Sequence, residues 1–102
     1  MTAPVLHDNP DKHRYELSAD GQLVGVAEYN LLDGALLFTH TEVMEGNEGK
    51  GYGSVLAKGA LDDVRRRRLH AIPVCQFIAG YIRKHPEYLD LVTADSRRAF
   101  GI

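Results

Sequence analysis

The chain has 102 residues, 44% of them hydrophobic and 25% charged, a composition typical of one soluble globular domain. Its apolar runs are far shorter than the roughly 20 residues of a membrane span, and a formal net charge of -2 gives no general attraction to nucleic acid. The N-terminal segment lacks the pattern of a secretory signal, and the lone cysteine, Cys75, cannot form an internal disulfide. We therefore predict one cytoplasmic domain over residues 1–102, with no membrane association.

Three segments rich in β-forming residues predict a three-stranded antiparallel meander over residues 14–43. They read RYELSA, QLVGVAEYNLL and ALLFTHTEV. The Asp-Gly pairs that separate them, at 20–21 and 33–34, are typical of tight hairpin turns.

The second half of the chain predicts a helix, a short strand and a second helix. Apolar residues recur at helical spacing between Ser54 and Arg68 and make one face. HAIPV, at 70–74, is a strand candidate, and QFIAGYIRKH, at 76–85, is a helix that the following proline closes. The tail, 93–102, shows no clear pattern, and we expect it to be loose outside a folded core of about 14–92.

Four glycines lie within the eight positions 46–53, directly before the first predicted helix. Glycines allow the backbone amides to turn towards one point, and a helix N-terminus adds a partial positive charge, so the loop is typical of a phosphate cradle. The alternative is a flexible connection between strand and helix. Lys50 is followed by Gly51, which excludes a Walker A loop, and the Gly-x-Gly-x-Gly spacing does not match a dinucleotide fingerprint.

The stretches EGKGYGSVLAKGALDDVRRRRL and HAIPVCQFIAGYIRKHPEYLDLV resemble the GNAT superfamily of acyl-CoA N-acyltransferases, in particular its small stand-alone branch. The pyrophosphate loop of this superfamily reads Arg/Gln-x-x-Gly-x-Gly/Ala, and Glu48, Gly51 and Gly53 occupy its fixed positions. In the small branch a cysteine follows the next strand and a later helix closes in His-Pro-Glu-Tyr, which Cys75 and residues 85–88 match.

This resemblance, which covers roughly residues 15–92, implies an α/β (α+β) fold of minimal GNAT type. The fold would contain the antiparallel meander, the glycine-rich loop and helix, a parallel strand and a C-terminal helix. The third meander strand and HAIPV would splay apart, and the pantetheine arm of acetyl-CoA or CoA would lie between them. The implied cofactor-binding residues are Glu42, Val43, Glu48, Gly49, Lys50, Gly51, Tyr52, Gly53, Ser54 and Cys75.

Two positions depart from the pattern of the family. Glu48 stands where the family carries a basic or amide residue, which places a carboxylate near the expected pyrophosphate and lowers the expected affinity for CoA, although Lys50 supplies a compensating charge. Gln76 replaces the proline that usually follows the cysteine. Neither change removes a backbone donor from the loop.

Four side chains are candidates for the transfer chemistry. His40 is the first choice for the base that takes a proton from the acceptor ammonium, with Glu42 on the same strand face in reserve; the alternative for His40 is a packed or exposed strand residue. Cys75 lines the acyl pocket, holds a water, acts as a nucleophile that takes the acetyl group first, or is simply a small apolar residue. Tyr81 falls near the tyrosine that protonates the thiolate in many GNAT enzymes, or is a core aromatic.

The predicted function is that of an acetyl-CoA-dependent N-acetyltransferase acting on an amine of a protein or a small molecule. The alternative is a CoA-binding sensor or interaction module with little or no turnover, because of Glu48 and the small size of the domain. The expected partners are CoA and the amine acceptor.

We interpret the arginine run at 65–68 as positive charge at the end of a helix rather than as a nucleic-acid-binding patch. The five histidines show no metal-ligand spacing, so no metal is expected.

Overall fold

The fold is built around a five-stranded sheet with the strand order β1-β2-β3-β4-β5. The computed structural model describes residues 3–102. Its strands are β1 (Val5–Asn9), β2 (Arg14–Ala19), β3 (Gln22–Leu32), β4 (Ala35–Val43) and β5 (His70–Pro73). Its helices are α1 (Tyr52–Arg66), α2 (Gln76–Lys84) and α3 (Ala94–Phe100), with short 3₁₀ helices at Pro10–Lys12 and Pro86–Leu91.

The predicted meander is confirmed, with β2, β3 and β4 at the expected bounds and antiparallel. At the first turn, Asp20 and Gly21 have φ of 52° and 79°, the left-handed conformation that matches the twist of a tight hairpin. Strand β1 was not predicted; it pairs antiparallel with β2 and extends the sheet at its outer edge. The predicted helix is confirmed as α1, although it begins and ends two residues earlier than Ser54–Arg68.

Strands β4 and β5 form the parallel pair that the resemblance implied. Their register runs from Ala35 opposite His70 to Phe38 opposite Pro73. The Cys75 amide then donates to the Phe38 carbonyl oxygen at 2.9 Å, and the chain turns into α2. Because β4 continues to Val43, its last five residues, 39–43, have no strand on the β5 side. We call the gap beside residues 39–43 the wedge.

The core lies between the sheet and helices α1 and α2. The apolar face of α1 is fully buried and packs against side chains from the strands and from α2. Its buried apolar members are Leu56, Ala57, Ala60, Leu61 and Val64. Among the described residues, no helix is long and apolar enough to cross a membrane.

The tail contains a helix, contrary to the expectation of a loose segment. Thr93 caps the N-terminus of α3 by accepting the Ser96 N–H, and Gly101 ends the helix in the left-handed conformation. Arg83 of α2 donates to the carbonyl oxygens of Phe100 and Gly101. Seven residues are too few for hydrophobic periodicity to reveal a helix, and the packing against α2 was not visible in the sequence.

Candidate functional site

The N-terminus of α1 is an uncapped cluster of backbone donors. Gly51 occupies the cap position with φ of 79°, and no side chain caps the helix or adds a negative charge to its first turn. The amides of Tyr52, Gly53 and Ser54 lie in that first turn, where an α-helix offers no internal acceptor. Such a terminus stabilises an anion both by hydrogen bonding and through the helix dipole.

A groove of about 290 Å³, which we call the cradle groove, opens directly over this terminus. At Gly49 and Gly51, both left-handed with φ of 79°, nothing lies within 4 Å of the position a Cβ atom would take. The groove brings together most of the loop residues that the resemblance singled out. Its lining is Val43, Asn47, Glu48, Gly49, Gly51, Tyr52, Gly53, Ser54 and Phe77.

Glu48 and Lys50, two charged residues of the loop, have different surroundings. Glu48 Oε2 accepts the N–H of Gly46 at 2.9 Å, so its carboxylate holds the turn that leads into the loop. This contact is not evident from the sequence, because a bond from a side chain back to an amide two residues earlier leaves no periodic signal. Lys50 is exposed and has no ion-pair partner among residues 3–102, which leaves its ammonium available to a ligand.

Cys75 points across the wedge to β4. Its thiol lies 3.3 Å from Thr41 Oγ1, and this is its hydrogen bond within the described part of the chain. Thr41 was not among the predicted site residues. The strand alternation could have identified it, because a residue between His40 and Glu42 must face the other side of the sheet.

His40 and Glu42 form a pair on that opposite face, as the sequence predicted. His40 Nε2 lies 3.1 Å from Glu42 Oε1, and both side chains are about half exposed, at 54% and 53%. A carboxylate only accepts, so Nε2 carries the hydrogen and the lone pair of a neutral ring lies on Nδ1. No contact recorded among residues 3–102 joins this pair to Cys75.

Tyr81 is placed elsewhere. Its ring stacks on His85 with centroids 3.9 Å apart, and burial raises the pKa of its hydroxyl. It lines a second groove of about 300 Å³, which we call the outer groove, between α2 and the start of α1. No contact recorded among the described residues joins it to the Cys75–Thr41 pair, and its thiolate-protonating role stays a prediction. The outer groove is lined by Ser54, Gln76, Phe77, Gly80, Tyr81, Lys84 and His85.

A larger groove of about 470 Å³ lies between β1 and the second half of α1, away from the predicted residues. Tyr15 donates to Asp63 Oδ2 at 2.6 Å, whereas Arg67 Nη1 lies 3.6 Å from carboxylate oxygens of both Asp63 and Asp8 and is a buried atom with no hydrogen-bond partner among the described residues. Within residues 3–102, no three His, Cys, Asp or Glu side chains are grouped so that they could hold a metal ion.

Comparison with known proteins identifies the family. The family model described as GCN5-related N-acetyl-transferase matches residues 14–91. The NMR solution structure of a GCN5-like protein from Staphylococcus aureus has a similar fold, with 20% sequence identity, 91% of each chain covered and a TM-score of 0.68. No curated protein matches the chain. Because the family match spans most of the sequence, the chain belongs to the GCN5-related N-acetyltransferase family, the GNAT superfamily that its loop and helix motifs resemble.

Proposed function

We propose that this N-acetyltransferase uses acetyl-CoA to acetylate an amine of a protein or small molecule in the cytoplasm. The family match and the fold support acyl transfer to nitrogen. The observation that carries the proposal is the uncapped N-terminus of α1 beneath the cradle groove, directly beside the wedge. The donors there suit a pyrophosphate, and the wedge suits the extended arm that carries the thioester.

In this proposal the ligand is held mainly by backbone groups. The amides of residues 52–54 bind the pyrophosphate, and the Lys50 ammonium offsets its charge. The pantetheine amides pair with the free edge of β4 at Glu42 and Val43, in the manner of an added strand. Cys75 lines the end of the arm, where the thioester lies.

Transfer is direct, from the thioester to the amine. His40 Nδ1 takes a proton from the acceptor ammonium, and Glu42 orients the imidazole by accepting its Nε2 hydrogen. The freed amine forms a bond to the thioester carbonyl carbon, the carbon–sulfur bond breaks, and the proton that the nitrogen loses as it becomes an amide passes to the departing thiolate. Cys75 needs no covalent role, because its one described side-chain partner is the Thr41 hydroxyl, which is not a base.

Matched glycine variants test the cradle. Gly51 and Gly21 share φ of 79° and open space around the missing Cβ, so alanine strains each backbone by roughly 1–2 kcal/mol. We expect calorimetry to show that Gly51→Ala weakens acetyl-CoA binding at least tenfold, whereas Gly21→Ala, in the first hairpin turn, binds as the wild type does. Unchanged affinity in folded Gly51→Ala would refute the cradle.

Turnover is tested by thiol release from acetyl-CoA over a panel of lysine peptides, protein N-termini and polyamines. We expect His40→Gln to lower the rate roughly 100-fold, the usual size of a general-base contribution. His70→Gln, which changes an exposed histidine on β5, should keep the wild-type rate. Tight CoA binding without thiol release from any amine would instead indicate the CoA-binding sensor or interaction module.

A further inference from the structure

The face of the sheet that carries His40, which we call the open face, lies away from Thr41 and the core. On this face the strand register places Glu28 of β3 directly opposite His40 of β4, and Arg14 of β2 opposite Glu28. Residues opposite one another in an antiparallel pair point to the same side of the sheet, with Cβ atoms about 5 Å apart. An acceptor held at His40 Nδ1 therefore lies next to Glu28.

Glu28 carries a carboxylate whose charge its neighbours leave uncompensated. Its side chain takes part in no hydrogen bond or ion pair recorded among residues 3–102, although the residue is only partly exposed. Arg14, the cation opposite it, is paired instead with Glu16, at 2.7 Å. His40 is engaged with Glu42. A cationic group of an acceptor would therefore be attracted to Glu28 without displacing a partner that it already has.

The shape of the open face favours a polypeptide over a small amine. The side chains of His40 and Glu42 are more than half exposed there, whereas sites for small molecules are concave and bury most of the ligand. An extended peptide can lie along such a surface, and its residues two positions apart point to the same side, about 7 Å from each other. A lysine that reaches His40 thus brings the side chain two positions away to the region of Glu28.

We infer that the acceptor is a lysine of a polypeptide and that Glu28 selects a basic side chain two residues from that lysine. This inference rests on the proposed function, since it assumes that His40 takes the proton from the acceptor ammonium. Glu28 does not enter the transfer itself. It binds the second, unreactive cation and so acts as a specificity-determining residue for the peptide.

The test is the rate of thiol release with two peptides that have a blocked N-terminus and a single lysine. One carries arginine two residues from the lysine, and the other carries glutamine in its place. We expect the wild type to show a kcat/KM about tenfold higher for the arginine peptide, the size of one hydrogen bond between charged groups, with the difference in KM rather than kcat. Glu28→Gln should lose this preference and keep the wild-type rate with the glutamine peptide. Glu87→Gln removes the same charge from an exposed position on the second 3₁₀ helix and should keep the preference.

A wild type that acetylates both peptides equally well would overturn this inference and leave the proposed function intact. Equal slowing of both peptides by Glu28→Gln would also overturn it, because Glu28 would then act on the fold or on His40 rather than on the second cation. Turnover of polyamines with neither peptide acetylated would show that the acceptor is a small amine and would likewise overturn it. If no amine releases thiol, the proposed transfer fails together with the inference.

Discussion

Glu48 acts on the proposed cradle in two opposite ways. Its carboxylate accepts the Gly46 amide and so orders the loop, yet it also lines the groove where a pyrophosphate would lie. Two negative charges about 4 Å apart repel by roughly 1 kcal/mol even in water. Its hydrogen bond therefore supports the loop while its charge opposes the proposed ligand.

Glu48→Gln separates these two effects, because the amide oxygen can still accept the Gly46 N–H while the charge is gone. We expect CoA to bind about fivefold more tightly, the equivalent of roughly 1 kcal/mol. Glu48→Arg, which restores the charge typical of the family, should gain less than its charge alone predicts, because it also loses the loop hydrogen bond. Glu45→Gln, an exposed charge change in the same loop, is the control for calorimetry. Weaker binding by Glu48→Gln would show that the carboxylate itself assists the ligand.

Experiments on Cys75 distinguish direct acetyl transfer from a route through an acetylated cysteine. Within the described residues its thiol contacts the Thr41 hydroxyl, and no base lies at hydrogen-bonding distance to form a thiolate. We therefore expect Cys75→Ala to keep a rate within roughly tenfold of the wild type. Peptide mass spectrometry after incubation with acetyl-CoA alone should find no acetyl group on Cys75. An acetylated Cys75 that passes its acetyl group to an amine at a competent rate would contradict direct transfer.

At the scale of the elements, the close contact between α1 and α2 depends on the absence of a side chain at Gly53. Alanine at Gly53 would place a Cβ atom 2.6 Å from the Phe77 ring, and alanine at Gly59 would place one 2.6 Å from Leu6 Cδ2. The two changes share one helix, a similar clash and a similar gain in helix propensity of about 1 kcal/mol. Only the first disturbs a wall common to both grooves.

Gly53→Ala should therefore weaken CoA binding several-fold by displacing the Phe77 ring, while Gly59→Ala should leave binding unchanged. We expect both variants to change the free energy of unfolding by no more than about 1 kcal/mol, since the propensity gain offsets the displaced side chain. Calorimetry and urea unfolding measure the two quantities separately. Equal affinity in both variants would mean that the ring position is immaterial to the ligand.

The elements that the sequence predicted well are those with strong local signals. The Asp-Gly pairs at 20–21 and 33–34 and the alternating apolar residues set the meander. Strand β1 escaped prediction because His7, Asp8 and Asn9 are polar residues of an edge strand, and pairing with β2 overrides their low propensity. Helix α3 was not predicted because its only sequence signals are the capping residues at its two ends, Thr93 and Gly101.

The candidate site divides in the same way. The glycines that line the cradle groove and the contact between His40 and Glu42 follow from local spacing. The Cys75–Thr41 contact joins residues 34 apart in the chain, and the placement of Tyr81 depends on its stack with His85. The first is set by how the start of α2 packs beside the sheet, which spacing along one element cannot reveal, whereas the second lies within α2 and its C-cap.

At the scale of the whole molecule, a polar network ties the sheet to the far end of α1. Tyr15 donates to Asp63, Tyr29 donates to Asp8, and the Arg67 guanidinium lies between the two carboxylates. Arg67 belongs to the arginine run, whose members 65–67 all pair with carboxylates of this chain. The run thus joins elements that are distant in sequence.

Because of this network, we expect the free energy of unfolding to fall at alkaline pH. Burial, followed by the hydrogen bond to Asp8, raises the pKa of Tyr29 to about 12 from its ordinary value of 10.0. The unfolded chain therefore loses this proton at lower pH than the folded protein does, so the contribution of Tyr29 is complete below pH 10 and is lost as pH rises through about 12.

Tyr29→Phe should lower the free energy of unfolding at pH 7 by roughly 1.5 kcal/mol, because the charged Asp8 carboxylate loses the hydrogen bond that the Tyr29 hydroxyl donates. It should also show a shallower fall in stability between about pH 10 and 12 than the wild type, since one titrating hydroxyl is gone. Tyr52→Phe is the control, because Tyr52 lies at the opposite end of α1 outside the network. Urea unfolding at a series of pH values measures both effects. If Tyr29→Phe and the wild type lose stability with the same slope above pH 10, the alkaline sensitivity has its origin in other groups.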